Sequence, residues 1–154
     1  MAGRLGKLLD LSLAELLLLV QAALGLLLTR SVLAIAGYTR AVRILDRLSR
    51  VPLVPALRGD DGTRAEATAR LVYAAGARFP LRATCLPKAL VLRSLLLRQR
   101  IAADLRIGVR IADGRLEGHA WVEHAGAPLS QGADVAEQFK PFPGDLAAIG
   151  DWTE

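Results

Sequence analysis

Residues 85–123 read CLPKALVLRSLLLRQRIAADLRIGVRIADGRLEGHAWVE, and the spacing of apolar residues changes within this stretch. Between Cys85 and Gln99 the apolar residues recur at helical spacing, which predicts an α-helix with one apolar face. Thr84 is a residue type that caps helices, and Pro87 falls in the first turn, where a missing N–H costs nothing. We therefore expect the helix to begin at Cys85.

The residues after this helix alternate apolar and polar side chains, as half-buried strands do. Residues 104–111 and 116–123 form two such runs, and Asp113-Gly114 between them is a hairpin signal. Residues 127–130 predict a short third strand. Helices followed by an antiparallel meander indicate an α+β fold.

Two more helices are predicted before this region, over residues 12–28 and 31–49, with Gly25 and Gly37 as weak points. An S-x-x-E capping box at residues 12–15 marks the start of the first.

Residues 50–62 are rich in proline and glycine and predict a loop. A helix over residues 64–78 follows, with a second capping box formed by Thr63 and Glu66. The tail, residues 132–154, reads as loop and irregular helix broken by prolines. We divide the chain into a hydrophobic helical region, 1–62, and a core, 63–154, within one compact unit.

The longest uncharged stretch of the first helix, Leu16 to Thr29, has 14 residues. A spanning helix needs about 20. We therefore expect a buried helix with one apolar face that tends to associate with other surfaces. Contact with a membrane surface is the alternative. The formal charge of +5 permits nucleic acid, anionic lipid or an acidic peptide as partner without choosing among them.

Cys85 is the sole cysteine, which excludes an intramolecular disulfide and a multi-cysteine zinc site and fits a cytoplasmic protein. A lone cysteine is most often a small buried hydrophobe. At a helix start, however, free N–H groups and the helix dipole stabilise a thiolate. Cys85 is therefore a candidate nucleophile.

A cysteine nucleophile needs a base, usually a histidine oriented by a third group. His119 lies mid-strand between the small residues Gly118 and Ala120, whereas His124 falls in a predicted turn. We predict His119 as the base and His124 as a solvated residue.

The third group should follow the histidine strand, where Asp134 and Gln131 are the candidates. Asp134 is the expected member because a carboxylate stabilises an imidazolium, and Gln131 is the alternative because an amide can still orient the ring. Glu123 is expected at a solvated strand end.

Four segments together carry a resemblance to a known family: Cys85–Ala89, Leu105–Val109, Gly118–Glu123 and Gly126–Leu129. They resemble the lasso-peptide B proteins, the leader peptidases of lasso-peptide biosynthesis, in the transglutaminase-like superfamily. The resemblance covers residues 80–143.

This resemblance implies a transglutaminase/papain-like core and a Cys-His-Asp triad with Cys85 and His119 at the first two positions. The family would place an aspartate near 131, where this chain has Gln131. Either Asp134 serves, or an amide supports a Cys–His dyad, or activity is low.

The helical first half resembles the split, protease-only form of the family, which works with a separate leader-binding protein. The implied substrate is a precursor peptide with its leader. The released core peptide passes to a separate ATP-dependent cyclase, and the peptidase needs no metal or organic cofactor.

Three alternatives remain open from the residues alone. The same triad supports acyl transfer to amines, and a decayed site would leave a binding or scaffolding protein. A basic surface with Arg93, Arg98 and Arg100 would suit nucleic acid, but no stacking aromatics accompany these arginines, so we expect a solvated helix face and no nucleic acid.

Overall fold

The computed structural model describes residues 11–51, 57–78, 84–132 and 134–142. Within these ranges the chain forms four helices and four strands. In chain order they are α1 (Leu13–Ser49), α2 (Asp61–Arg78), α3 (Cys85–Arg98), β1 (Asp104–Ala112), β2 (Arg115–His124), β3 (Ala127–Pro128), α4 (Val135–Gln138) and β4 (Lys140–Pro141).

Helix α1 begins at the predicted capping box. The Ser12 hydroxyl accepts the Glu15 N–H at 3.3 Å, and the Glu15 carboxylate accepts the Ser12 N–H at 2.8 Å. The predicted break between residues 28 and 31 is wrong, because the helix continues there. The interruption lies at Gly37, whose φ of 77° and ψ of 179° are non-helical. Glycine tolerates this conformation because it has no Cβ.

The start of α2 also differs from the prediction. Asp60 precedes the helix, and its Oδ1 accepts the Thr63 N–H at 2.7 Å. The predicted capping box of Thr63 and Glu66 is therefore wrong. Asp60 does the capping, and the Glu66 carboxylate is bound to Ser130 instead.

The four strands form one antiparallel sheet in the order β3-β2-β1-β4. Asp113 and Gly114 make the predicted hairpin turn with φ angles of 50° and 72°, as a tight two-residue turn requires. The third strand is shorter than predicted and ends at Pro128. Soon after it, Ser130 adopts a left-handed φ of 51°.

The tail was predicted as loop and irregular helix, but it contributes α4 and the edge strand β4. Pro141 ends β4 rather than only breaking structure, since an edge strand tolerates a missing N–H. Residues 143–154, the rest of that prediction, lie outside the described part of the chain, as do residues 52–56 of the predicted loop.

One apolar cluster joins three helices to one face of the sheet. Its members include Leu18 of α1, Val72 of α2, Leu92 of α3, and Leu105 and Val122 of the sheet. It thus contains side chains from both sides of residue 62.

A smaller cluster of Trp121, Val135 and Phe139 covers the opposite face of the sheet. Strand β2 is therefore covered on both sides. The architecture is a mixed α+β fold, as predicted.

Candidate active site

Cys85 is the first residue of α3, as predicted, and its half-buried side chain packs against the main apolar cluster. Thr84 occupies the N-cap position, but its side chain makes no capping hydrogen bond, and the first turn holds no acidic residue. No acidic side chain in the first turn therefore neutralises the positive end of the helix dipole, the end that attracts negative charge.

His119 lies half-buried on β2, and its ring is fixed by neighbours on two sides. The ring stacks against Phe139 with 4.9 Å between centroids and lies 6.1 Å from Trp121 at an interplanar angle of 18°. Its Nε2 atom lies 2.8 Å from Oε1 of Gln131. These contacts together restrict rotation of the imidazole.

The Gln131 amide is itself oriented by Tyr73 of α2. Gln131 Nε2 donates to the Tyr73 hydroxyl at 2.5 Å, which turns Oε1 toward His119. With an acceptor facing Nε2, the neutral imidazole carries its proton there and keeps the lone pair on Nδ1. Nδ1 makes no hydrogen bond with any described residue, so it is available as a base.

Tyr73 also connects this group of residues to Cys85. Burial raises the pKa of Tyr73, and the negative charges of Cys85 and Glu66 raise it further, while the hydrogen bond from Gln131 opposes them. The raised pKa keeps the Tyr73 phenol protonated at neutral pH.

Cys85 packs against the apolar cluster on one face of the sheet, whereas His119 lies on the other face. Ala120 and Val122 belong to the cluster packed on α3, whereas His119 shares the opposite face of β2 with Trp121. Among the described residues no hydrogen bond joins Cys85 to His119. In apo enzymes catalytic hydrogen bonds are often long and tighten only with substrate bound.

A clamp between α2 and the loop after β3 holds Gln131 in place. The Glu66 carboxylate accepts the Ser130 N–H at 3.0 Å and the Ser130 hydroxyl at 2.6 Å. Because Ser130 has a left-handed φ of 51°, these two bonds stabilise a conformation that serine rarely adopts. The clamp thereby fixes the residue next to Gln131.

The structure brings Gln131 to His119, whereas Asp134, the expected third member, lies elsewhere. Asp134 is exposed at the start of α4, and its Oδ2 accepts the Gln138 side-chain N–H at 2.5 Å. Of the two candidates, Gln131 is therefore the one whose side chain contacts His119.

The interpretation of Glu123 as a solvated strand end is wrong. Its side chain is buried, accepts the Trp121 indole N–H at 2.9 Å and pairs with Arg106 at 2.9 Å. Glu123 thus fixes the indole that stacks beside His119. The other histidine, His124, ends β2 and contacts the Ala102 carbonyl at 2.8 Å through Nδ1.

Sequence reasoning missed Glu66 and Tyr73 as parts of the site. They lie 64 and 58 residues before their partners Ser130 and Gln131. No local motif marks such distant pairs. Within the described ranges, no three His, Cys, Asp or Glu side chains are grouped so as to hold a metal ion.

A family model described as the transglutaminase-like superfamily matches residues 18–143. The chain belongs to this superfamily. Transglutaminase-like proteins are typically cysteine-dependent enzymes and include cysteine peptidases and acyltransferases. The match begins within α1, so it includes the first helices as well as the Cys85 helix and the sheet. No curated protein and no solved structure matches the chain significantly.

Proposed function

We propose that this transglutaminase-like protein is a cysteine endopeptidase that removes the leader from a lasso-peptide precursor. The observation that carries the proposal is the hydrogen bond between His119 Nε2 and Gln131, fixed in turn by Tyr73. It presents the free Nδ1 of an oriented histidine in a fold that starts a helix at Cys85. The sequence resemblance of residues 80–143 supplies the substrate class.

In the proposed reaction, His119 Nδ1 accepts the proton of the Cys85 thiol, and the resulting thiolate attacks the carbonyl carbon of the scissile peptide bond. The new C–S bond gives a tetrahedral oxyanion, and free N–H groups at the start of α3 would stabilise it. His119 then protonates the leaving amine as the C–N bond breaks, which frees the core peptide and leaves a leader acyl-enzyme. Water, deprotonated by His119, hydrolyses the thioester and restores the thiol.

Two further proteins belong to this proposal. A separate leader-binding protein presents the precursor, and a separate ATP-dependent cyclase uses the freed amino terminus. The arginines on α3 do not form an open phosphate-binding surface, because Arg93 pairs with Asp46 at 2.9 Å and Arg98 donates to the Val51 carbonyl at 3.1 Å. These two arginines are therefore engaged within the protein rather than open to a phosphate group.

The test is cleavage of a lasso-peptide precursor in the presence of its leader-binding protein, followed by mass spectrometry. We expect leader and core fragments whose masses sum to precursor plus one water. Cys85→Ala and His119→Ala should lose cleavage while keeping the wild-type circular dichroism spectrum.

The matched control for His119→Ala is His124→Ala, because the chain has only two histidines and His124 lies at the far end of β2. Its cleavage rate should stay near that of the wild type. Full cleavage by Cys85→Ala would contradict the proposal.

Acyl transfer to an amine is the second candidate, since the superfamily includes acyltransferases. The same assay run with added glycine methyl ester separates the two reactions. A leader fragment carrying the amine in place of water would assign transfer rather than hydrolysis. A precursor left intact under all conditions would instead indicate a binding protein.

A further inference from the structure

The first part of α1 exposes a continuous apolar face to solvent. Its members are large aliphatic residues that recur mostly at steps of three and four, and each is between 42% and 86% exposed. They are Leu13, Leu16, Leu17, Val20, Leu24, Leu27, Leu28 and Ile35. We call this set the apolar face of α1. Folded proteins rarely expose so many adjacent aliphatic side chains without a partner.

The opposite side of the same helix is buried in the protein. Leu18, Ala22 and Leu26 are at most 2% exposed and belong to the cluster that contains α2, α3 and the sheet. Helix α1 is long and apolar enough to cross a membrane by composition, with a mean hydropathy of 2.0 in its most apolar 18-residue window. If α1 crossed a membrane, the side chains on its buried side would have to leave the protein core. The helix is therefore better suited to lie along a membrane surface.

Beyond Gly37 the exposed side of α1 becomes basic. Arg40, Arg43, Arg47 and Arg50 are exposed at steps of three and four, and they form no ion pair with any described residue. We call these four the arginine stripe. The nearby Asp46 is paired with Arg93 of α3, and the whole chain carries a net charge of +5.

An apolar face followed along α1 by an arginine stripe complements one occupant in particular. Anionic lipid headgroups attract arginines, and the boundary between headgroups and acyl chains accepts leucines. A second copy of the chain would bring another unpaired arginine stripe with it. We propose that α1 docks this protein on the surface of an anionic bilayer, with the apolar face in the headgroup boundary.

The test uses the full-length protein and sedimenting vesicles of phosphatidylcholine, with or without phosphatidylglycerol. We expect the partition coefficient to be at least about tenfold higher with phosphatidylglycerol, and to fall with added salt. Leu17→Glu/Leu24→Glu should lower binding to both vesicles by about tenfold or more. Arg43→Glu/Arg47→Glu should abolish the preference for phosphatidylglycerol.

The matched control is Ile111→Glu/Leu116→Glu, because these side chains are 77% and 73% exposed at the β-hairpin, away from α1. That variant should bind as the wild type does. Cys85→Ala should also bind normally, so that loss of peptidase activity and loss of docking are separable. Circular dichroism establishes that each variant is folded.

Two results would overturn the proposal. Wild-type protein that stays in the supernatant with both vesicles would exclude a lipid surface. A concentration-dependent dimer in analytical ultracentrifugation that Leu17→Glu/Leu24→Glu dissociates, together with unchanged vesicle binding by that variant, would assign the apolar face to a second copy.

Discussion

Replacing Gln131 by alanine tests whether this amide orients the histidine. The change removes the acceptor 2.8 Å from His119 Nε2 and the donor to the Tyr73 hydroxyl. The imidazole would then be free to adopt the tautomer with its proton on Nδ1, where it could not accept the thiol proton. We expect cleavage to slow while Cys85 and His119 remain in place.

The size of the effect follows from the two bonds lost. Leaving a partly buried donor or acceptor unsatisfied costs about 1–3 kcal/mol. If the productive orientation of the His119 ring is destabilised by this free energy, kcat/KM drops by about 5- to 150-fold. A fall beyond this range would indicate that the loop itself had moved.

The assay is precursor cleavage under subsaturating conditions, with thermal unfolding as the check on folding. Asp134→Asn is the control, because the exposed Asp134 contacts Gln138 rather than His119. We expect its rate to stay within about twofold of the wild type, as for most exposed sites. A larger loss in Asp134→Asn than in Gln131→Ala would refute this reasoning and assign the third position to Asp134.

Three further predictions concern residues that support the site or the fold. Tyr73→Phe should slow cleavage and should also remove a pH dependence of folding stability. In the wild type the pKa of the folded phenol is raised, so its stability is lost as pH rises above the ordinary pKa of 10.0. Between about pH 8 and about pH 11 the unfolding midpoint should therefore fall less in the variant than in the wild type. Glu66→Gln weakens the two bonds to Ser130, so it should lower kcat/KM with little change in the far-ultraviolet spectrum, and rates equal to wild type would contradict the clamp. Ser12→Ala removes the α1 capping box and should cost about 1 kcal/mol in urea unfolding, whereas an unchanged midpoint would show that the end of α1 frays without consequence.

The sequence predicted correctly those helices and strands whose structure depends on residues close together in the chain. The helix starting at Cys85 follows from its apolar spacing, and the β1–β2 hairpin follows from alternation around Asp113-Gly114. The break in α1 was predicted between residues 28 and 31, but it lies at Gly37, one of the two glycines that were named as weak points. Gly25 stays helical in contact with Val91, whereas Gly37 has open space around it.

The supporting residues of the site could not be predicted from sequence, because they act across long separations. Glu66 fits a capping motif with Thr63 equally well, and only the fold shows that its carboxylate reaches Ser130 instead. Glu123 is predicted to be solvated from the sequence because charged residues at strand ends are usually exposed to solvent. Its burial depends on Arg106 and Trp121, which the register brings to the same part of the sheet.

The neutral amide at position 131 has a physical reason in this site. Burial raises the pKa of the Tyr73 phenol, and the negative charges of Cys85 and Glu66 raise it further. A carboxylate in place of Gln131 would put a further negative charge next to the half-buried Tyr73 phenol, where it would repel the charge of Glu66. The amide orients His119 without that repulsion, and the nearby carboxylate of Glu66 is used to hold the loop. The arrangement therefore positions the His119 ring by a hydrogen bond to a neutral amide.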